Sequence, residues 1–317
     1  MLVTLPELRA AQERLRGVAL DTPLVSFEPG IWVKAEGLQP IGSFKLRGAF
    51  NKISRLTPDD RARGVISYSS GNHAQGVAFA ARALGTKAVI VMPSNAPLIK
   101  VRAVEALGAD IVKVGPSSGE RRAKAEELAA EFAYVVIPPY DDGDIIAGQG
   151  TCGLEIVAGL PVVDLVLAPV GGGGLISGVA AAVKLTHPGV KVIGVEPELA
   201  SDAAQSLKAG RIVSLTAEEV SRTAADGLRT QSVGELNFAH IRAYVDAILT
   251  VTESEIFETM RTMLFKTRLV PEPSGAVALA AAIFHRDELP PARQTVAIMS
   301  GGNVEPLMLR RLLDSDS

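Results

Sequence analysis

The 317-residue chain has a single cysteine, Cys152. One thiol excludes an internal disulfide framework and any multi-cysteine zinc site, and leaves Cys152 as a small buried side chain. Aromatic residues make up only 4% of the chain, so Ala, Val, Leu and Ile must fill the interior that a 47% hydrophobic content allows. Neither sign of charge dominates. The net charge is −3 and the basic residues are scattered, so no nucleic-acid partner is expected. Residues 1–17 are amphipathic and lack an apolar signal core, which sets the expectation of a cytoplasmic protein. One uncharged run, Leu165 to Val183, is long enough to cross a bilayer, but Pro169, four consecutive glycines and Ser177 interrupt it. A strand, a loop and a helix buried in an α/β core fit that run better, so no membrane partner is expected. There is no internal repeat.

What is present is alternation. Val65–Ser67, Ala88–Met92, Asp110–Val114 and Tyr134–Ile137 read as short strands. Between them lie helical stretches at Asn72–Leu84, Pro97–Leu107 and Ser118–Glu131, the first two closed by Gly85 and Gly108. Pro58-Asp59-Asp60 reads as a chain break, and the run Pro138 to Asp144 as a crossing between domains. Further strands are expected at 31–34, 165–169, 192–195, 247–251 and 296–299. Helices are expected at 5–16, 44–56, 145–158, 175–185, 200–209, 232–240 and 275–285. Thr252-Glu253-Ser254-Glu255 has the form of a capping box opening a helix to Lys266. Strand–helix alternation of this kind builds parallel sheets with right-handed crossovers.

Four stretches carry chemistry. Ser43-Phe44-Lys45-Leu46-Arg47-Gly48-Ala49-Phe50 sets a lysine in an apolar frame at a helix start. Desolvation disfavours the ammonium, and the neutral amine is a nucleophile for aldehydes; the same pattern also suits a surface lysine laying its stem on apolar neighbours. Gly171 to Gly174 join a strand to a helix, where backbone N–H groups can approach an anion. The spacing is neither that of a dinucleotide fingerprint nor that of a P-loop. Ser69-Ser70-Gly71-Asn72-His73-Ala74-Gln75 follows a strand and opens a helix, and suits a carboxylate or an ordinary cap. Ser300-Gly301-Gly302-Asn303 follows the last strand, at the strand end where open α/β sheets place ligands.

Taken together, these stretches resemble the fold-type II pyridoxal-phosphate enzymes, in the branch of the threonine/serine dehydratases and serine racemases. Ala147–Thr151, Ala225-Asp226-Gly227 and Glu272–Ala276 extend the likeness, in the family's order, over nearly the whole chain. The resemblance implies a two-domain parallel-sheet α/β fold like that of the tryptophan synthase β-subunit. The larger domain would span 1–54 and 142–317, and a small mobile domain at 55–141 would close over the substrate. Pyridoxal 5'-phosphate would be held through a Schiff base to Lys45, which would also exchange the α-proton. Phe44 and Gly227 would sandwich the ring, Asn72 would bond its hydroxyl, Ser300 would face its nitrogen and Glu272 would lie nearby. Gly171, Gly172, Gly173 and Gly174, with the N–H of Leu175, would hold the phosphate. Ser69, Ser70, Asn72 and Gln75 would embrace the substrate carboxylate, and Ser70 could move a proton on the face opposite Lys45.

The reaction expected is β-elimination from L-threonine or L-serine, giving a 2-oxo acid and ammonia. Serine racemisation and dehydration of 3-hydroxyaspartate are the neighbouring alternatives. A nicotinamide-dependent dehydrogenase and a non-catalytic amino-acid-binding protein are the alternatives outside the class. Glu196, the carbonyl of Ala200 and Asp202 resemble the family's divalent-cation loop and imply Mg²⁺ or another divalent cation. A homodimer is implied. The chain stops just past Arg310-Arg311-Leu312, which sets the expectation that no appended regulatory domain exerts feedback. Arg268 stands where relatives often have lysine. Arg121, Arg122 and Arg229 are cations that, if near the pocket, would suit a substrate with a second carboxylate.

Overall fold

The computed structural model describes residues 1–69, 71–96, 98–115 and 118–314. Among the described residues, ten strands form two sheets. The larger joins β1 (Leu24–Glu28), β2 (Ile31–Ala35), β7 (Leu165–Pro169), β8 (Lys191–Pro197), β9 (Ala247–Val251) and β10 (Thr295–Met299), in the order β1-β2-β10-β7-β8-β9. Only the β1–β2 hairpin is antiparallel. The smaller joins β3 (Val65–Tyr68), β4 (Ala88–Pro93), β5 (Asp110–Val114) and β6 (Val135–Val136), all parallel, in the order β5-β4-β3-β6.

Helices cover both sheets, as parallel strands require. They are α1 (Leu5–Leu15), α2 (Lys45–Ser54), α3 (Pro58–Arg63), α4 (Asn72–Ala83), α5 (Leu98–Ala106), α6 (Ser118–Phe132), α7 (Gly143–Gly159), α8 (Gly174–Thr186), α9 (Asp202–Ala209), α10 (Ala217–Ser221), α11 (Glu235–Tyr244), α12 (Glu253–Thr267), α13 (Pro273–Phe284) and α14 (Pro306–Asp314). One face of the large sheet packs on α12 and α13 through residues such as Leu167, Val195, Met260, Ala278 and Ala297. The other packs on α7 and α8 through Ile156, Val166, Ile176, Val179 and Ile298. Small side chains let helices approach closely: a Cβ on Gly178 of α8 would lie 2.2 Å from the Ile146 carbonyl of α7. The capping box at Thr252 is present, with its side chain accepting from the Glu255 N–H.

Two expectations change. Pro58-Asp59-Asp60 does not break the chain: Thr57 caps a short helix with proline in its first turn, the one place where a missing N–H costs no bond. Strand β1 and helix α14 went unforeseen, β1 because its alternation is short and α14 because it follows a glycine-rich turn.

Candidate active site

A cavity of about 600 Å³ lies between the two sheets, at the C-terminal ends of β3, β7 and β10. Its walls include Phe44, Lys45, Ser69, Asn72, Gln75, Gly171, Gly172, Gly173, Gly174, Leu175, Gly227, Glu272 and Ser300. Every described residue expected at the cofactor or the substrate carboxylate is therefore brought to one space. Ser70 lies outside the described residues. Glu196, Ala200 and Asp202 do not line the cavity, and neither does Arg268, which takes the left-handed position ending α12.

Lys45 reaches the cavity because the segment before it is sewn to the end of β10. Ser43 pairs with Gly301, the Phe44 N–H donates to the Ser300 carbonyl (3.1 Å), and the Gly302 N–H donates to the Gly42 carbonyl (2.9 Å). Gly76 of α4 leaves room on the other side, since a Cβ there would lie 3.1 Å from the Lys45 carbonyl. The Lys45 Nζ donates to the carbonyl of Pro139 (2.7 Å) and sits 5.1 Å from the centre of the Phe44 ring. Burial pushes its pKa down to about 8.

Two residues along the same helix, Arg47 faces the opposite way. Its guanidinium grips Glu36 (2.7 and 2.8 Å) and Glu155 (2.6 and 2.7 Å), and Glu155 also accepts from Lys34 (2.6 Å). Burial alone would lower the pKa of Arg47, but the two carboxylates raise it well above the ordinary value. For Glu155 burial prevails and raises the pKa; Glu36 shifts down, because Arg47 holds both of its oxygens. The sequence gives no sign of this network. Arg47, Glu36, Glu155 and Lys34 are far apart in the chain, and nothing in their spacing marks them as partners.

The glycine loop follows β7 and opens α8. Gly173 has φ +95°, a left-handed conformation that favours glycine. A Cβ on Gly172 would strike the Tyr140 ring at 2.2 Å, and one on Gly171 would lie 3.1 Å from the Leu228 Cα. The first N–H groups of α8 have no carbonyl within the helix, so loop and helix start form a cradle suited to an anion. A phosphate ester fits this cradle, and the desolvated amine of Lys45 on the same cavity fits an aldehyde, so the residues present suit pyridoxal phosphate.

Asn72 is engaged at both ends of its amide. Its Nδ2 donates to Glu272 (2.6 Å), and its Oδ1 accepts from Asn303 Nδ2 (2.7 Å), a partner the sequence did not single out. Burial and then Asp226 push the Glu272 pKa up to about 7. The Ser300 Oγ donates to the Ser274 carbonyl at 3.3 Å, and the Gly227 N–H donates to Ser274 Oγ at 3.0 Å. His73 is buried and contacts the Ile137 carbonyl through Nε2 (3.0 Å), while burial and Lys45 lower its pKa to about 3. Its imidazole is therefore uncharged near neutral pH.

Glu196 lies near the end of β8, and Asp202 opens α9 just after it. Glu196 accepts from the N–H groups of Ala203 (3.0 Å) and Ala204 (2.8 Å) in α9, while both oxygens of Asp202 are buried without a side-chain partner. Burial raises both pKa values, that of Asp202 to about 7. Among the described residues no cluster of three or more His, Cys, Asp or Glu suits a metal.

Parallel sheets, a lysine at a helix start and a glycine cradle across a shared cavity define a class of enzyme that uses an aldehyde cofactor with an anionic tail. The chain belongs to the pyridoxal-phosphate dependent enzyme family, whose pattern matches residues 16–301. It is 42% identical over 275 residues to L-threo-3-hydroxyaspartate ammonia-lyase of Saccharomyces cerevisiae, covering 87% of this chain and 83% of that protein. It is 40% identical over 320 residues to L-threonine ammonia-lyase of Thermotoga maritima, covering 99% and 79%. Among solved structures it resembles a T.th. threonine deaminase (TM-score 0.90, 44% identity, 96% and 99% covered) and maize serine racemase (TM-score 0.93, 35% identity, 100% and 98% covered). The fold is thus that of the fold-type II enzymes. Among the described residues no helix is long and apolar enough to cross a membrane.

Proposed function

We propose that this protein deaminates L-threonine or L-serine by β-elimination, releasing a 2-oxo acid and ammonia. The observation that carries this reading is the setting of Lys45: an amine held by a carbonyl rather than a carboxylate, with its pKa lowered to about 8, on the same cavity as the glycine cradle. The ammonia-lyase and threonine deaminase relatives support it.

Pyridoxal phosphate, when bound, supplies a conjugated ring into which the electrons of a broken Cα–H bond can spread. The remaining work falls to the chain. Gly171 to Gly174, with the N–H of Leu175, hold the phosphate; Lys45 takes the proton from Cα. Ser69, Ser70, Asn72 and Gln75 hold the substrate carboxylate in this reading. Phe44 and Gly227 flank the ring. At the ring nitrogen Ser300 offers a hydroxyl rather than a carboxylate, so it does not stabilise a positive charge there. Electron withdrawal is then weaker, and loss of the β-hydroxyl competes well with transamination. Racemisation of serine shares the same proton step and is the neighbouring reaction, supported by the likeness to maize serine racemase.

Residues 55–141 act in this reading as the small domain that closes over the substrate and excludes water. Glu196, the Ala200 carbonyl and Asp202 hold Mg²⁺ or a similar cation. Two adjacent buried acids, one with both oxygens lacking side-chain partners, suit a hard divalent ion completed by waters. The homodimer belongs to the same reading and rests on the resemblance; the cytoplasmic setting is proposed with it.

The test is direct. The purified protein should absorb in the visible, and borohydride should fix a pyridoxyl group on Lys45, located by mass spectrometry of its peptide. L-threonine and L-serine should then yield 2-oxo acid. A protein that stays colourless and unlabelled after pyridoxal phosphate is added would overturn the proposal.

A further inference from the structure

The residues from Ile137 to Asp141 carry the chain from β6 to α7. Their first end is pinned to the small sheet. The Ile137 carbonyl accepts from the Ser67 Oγ (2.9 Å) and pairs with His73 Nε2 (3.0 Å). The other end is pinned to α11, where the Asp141 carboxylate accepts from the N–H groups of Glu235 (3.2 Å) and Leu236 (2.9 Å). Between the two anchors stand Pro138 and Pro139, whose rings fix φ and leave no N–H to donate. The segment is a short strap held at both ends, and the Pro139 carbonyl that grips Lys45 lies within it.

Tyr140 follows that carbonyl and lines the cavity. Its ring packs against Gly172: a Cβ built there would meet ring carbons at 2.2, 2.3 and 2.4 Å. On Gly174 a Cβ would lie 3.0 Å from the Tyr140 Cβ. Gly172 lacks the left-handed φ of Gly173, so it is the ring, not the backbone conformation, that leaves no room for a side chain at 172. The Gly172 carbonyl also accepts from the N–H of Gly234 (3.1 Å), just ahead of the α11 start to which Asp141 is tied. One side chain thus touches the phosphate cradle, and the peptide before it holds the amine. Burial, and then Tyr68, push the phenol up to about 12, so Tyr140 is uncharged near neutral pH.

We propose that Tyr140 is a positioning residue that keeps Lys45 in register with the phosphate cradle, its side chain bearing on Gly172 and Gly174 and its N-terminal peptide carrying the Pro139 carbonyl. The inference rests on the cofactor part of the reading above. A phosphate seated in the cradle presents its aldehyde at one place, and the Lys45 Nζ must wait there. The amine adds to the aldehyde carbon, its two protons pass to the oxygen, and that oxygen leaves as water when the imine forms. Holding both partners in register makes this step effectively unimolecular, and a misplacement of about 1 Å costs on the order of 100-fold. Without the ring the strap loses its bearing on the cradle, and the amine loses its register.

The full-length chain, freed of cofactor, reads this without turnover. Imine formation is followed by its visible band with pyridoxal phosphate and with pyridoxal, which has the same aldehyde and no phosphate. In the native chain the phosphate should speed the reaction of Lys45 at least about 100-fold. Tyr140→Ala should cut that advantage at least about tenfold while changing the rate with pyridoxal less than about threefold, whereas a loss of structure alone would lower both rates together. Tyr140→Phe should keep the advantage, since the ring and not the hydroxyl bears on Gly172. Gly172→Ala should lose about tenfold in the native chain and less than about threefold more in Tyr140→Ala, because the clash it creates is with the ring. Thermal melting checks that each variant is folded, and Tyr140→Leu replaces Tyr140→Ala if that one is not. An advantage unchanged in Tyr140→Ala, rates with both aldehydes falling equally, or equal losses from Gly172→Ala in both backgrounds overturn the role of Tyr140 and leave the cofactor reading standing. A native chain that forms no band with either aldehyde overturns the cofactor reading and this inference with it.

Discussion

Lys45 and Arg47 stand two residues apart on one helix and are treated in opposite ways. Arg47 lies in the core with two carboxylates on its guanidinium and a second cation, Lys34, completing a balanced set of two positive and two negative groups. Lys45 faces the cavity with a single carbonyl for company. A buried charge needs a partner or it gives up its proton. Arg47 has partners and keeps its charge; Lys45 lacks a carboxylate and is drawn toward the neutral amine. The helical turn that separates the two directions by roughly 200° lets one short motif hold an anchor and a reactive group.

The sharpest way to break this comparison is to remove each side chain in turn. Lys45→Ala should reduce ammonia release from L-threonine at least about a thousandfold, as expected for losing a group that moves the proton. Its melting midpoint should not fall, because a poorly paired amine is removed; a large loss of stability would show that Lys45 is structural. Arg47→Met should do the reverse and destabilise the fold by about 3–5 kcal/mol, because two buried carboxylates, Glu36 and Glu155, are then left with Lys34 as the one remaining cation of the set. Urea denaturation reads this, and a change below about 1 kcal/mol would mean the network contributes little.

Smaller effects sharpen the contrast. With a pKa of about 8, roughly a tenth of Lys45 is neutral at pH 7, against about one in 3000 for an ordinary lysine. The rate at which cofactor-free protein takes up pyridoxal phosphate should therefore rise with pH and level off just above 8. A rate still climbing at pH 10 would return Lys45 to the ordinary range. Asp226→Asn should lower the Glu272 pKa, because it removes a negative neighbour that raises it. Titration of the Glu272 carboxyl by difference infrared spectroscopy should show the midpoint moving below about 7; an unchanged midpoint would leave burial as the whole cause. Magnesium should stabilise the fold by about 2.7 kcal/mol when the ion is a hundredfold above its Kd, read as a higher melting midpoint, and Asp202→Asn should remove the gain.

Much of the molecule was legible in the order of residues. The lysine in its apolar frame, the strand-glycine-helix turn and the serine and asparagine turns each carry local signals, and local signals survive in a linear string. Lys45, Gly171, Asn72 and Ser300 do share one cavity. What could not be read was pairing at long range. The Asn72–Asn303 and Arg47–Glu155 contacts join residues 231 and 108 positions apart, and no periodicity encodes them. Pro58 misled for the opposite reason. Proline breaks a helix from within but suits its first turn, and only the cap at Thr57 distinguishes the two. The arginines were visible as cations; that Arg229 is tethered to the Thr223 carbonyl and lines the cavity was not.

The strand made last, β10, lies in the middle of its sheet, with β2 on one side and β7 on the other, and its end is stitched to the residues just before Lys45. A ribosome releasing this chain would have exposed Lys45 and the glycine turn before the strand that fixes the segment ahead of Lys45 was made. The final placement of Lys45 therefore waits for the last strand to be made. A polypeptide stalled short of Thr295 would have both halves of the grip and no hinge pin between them.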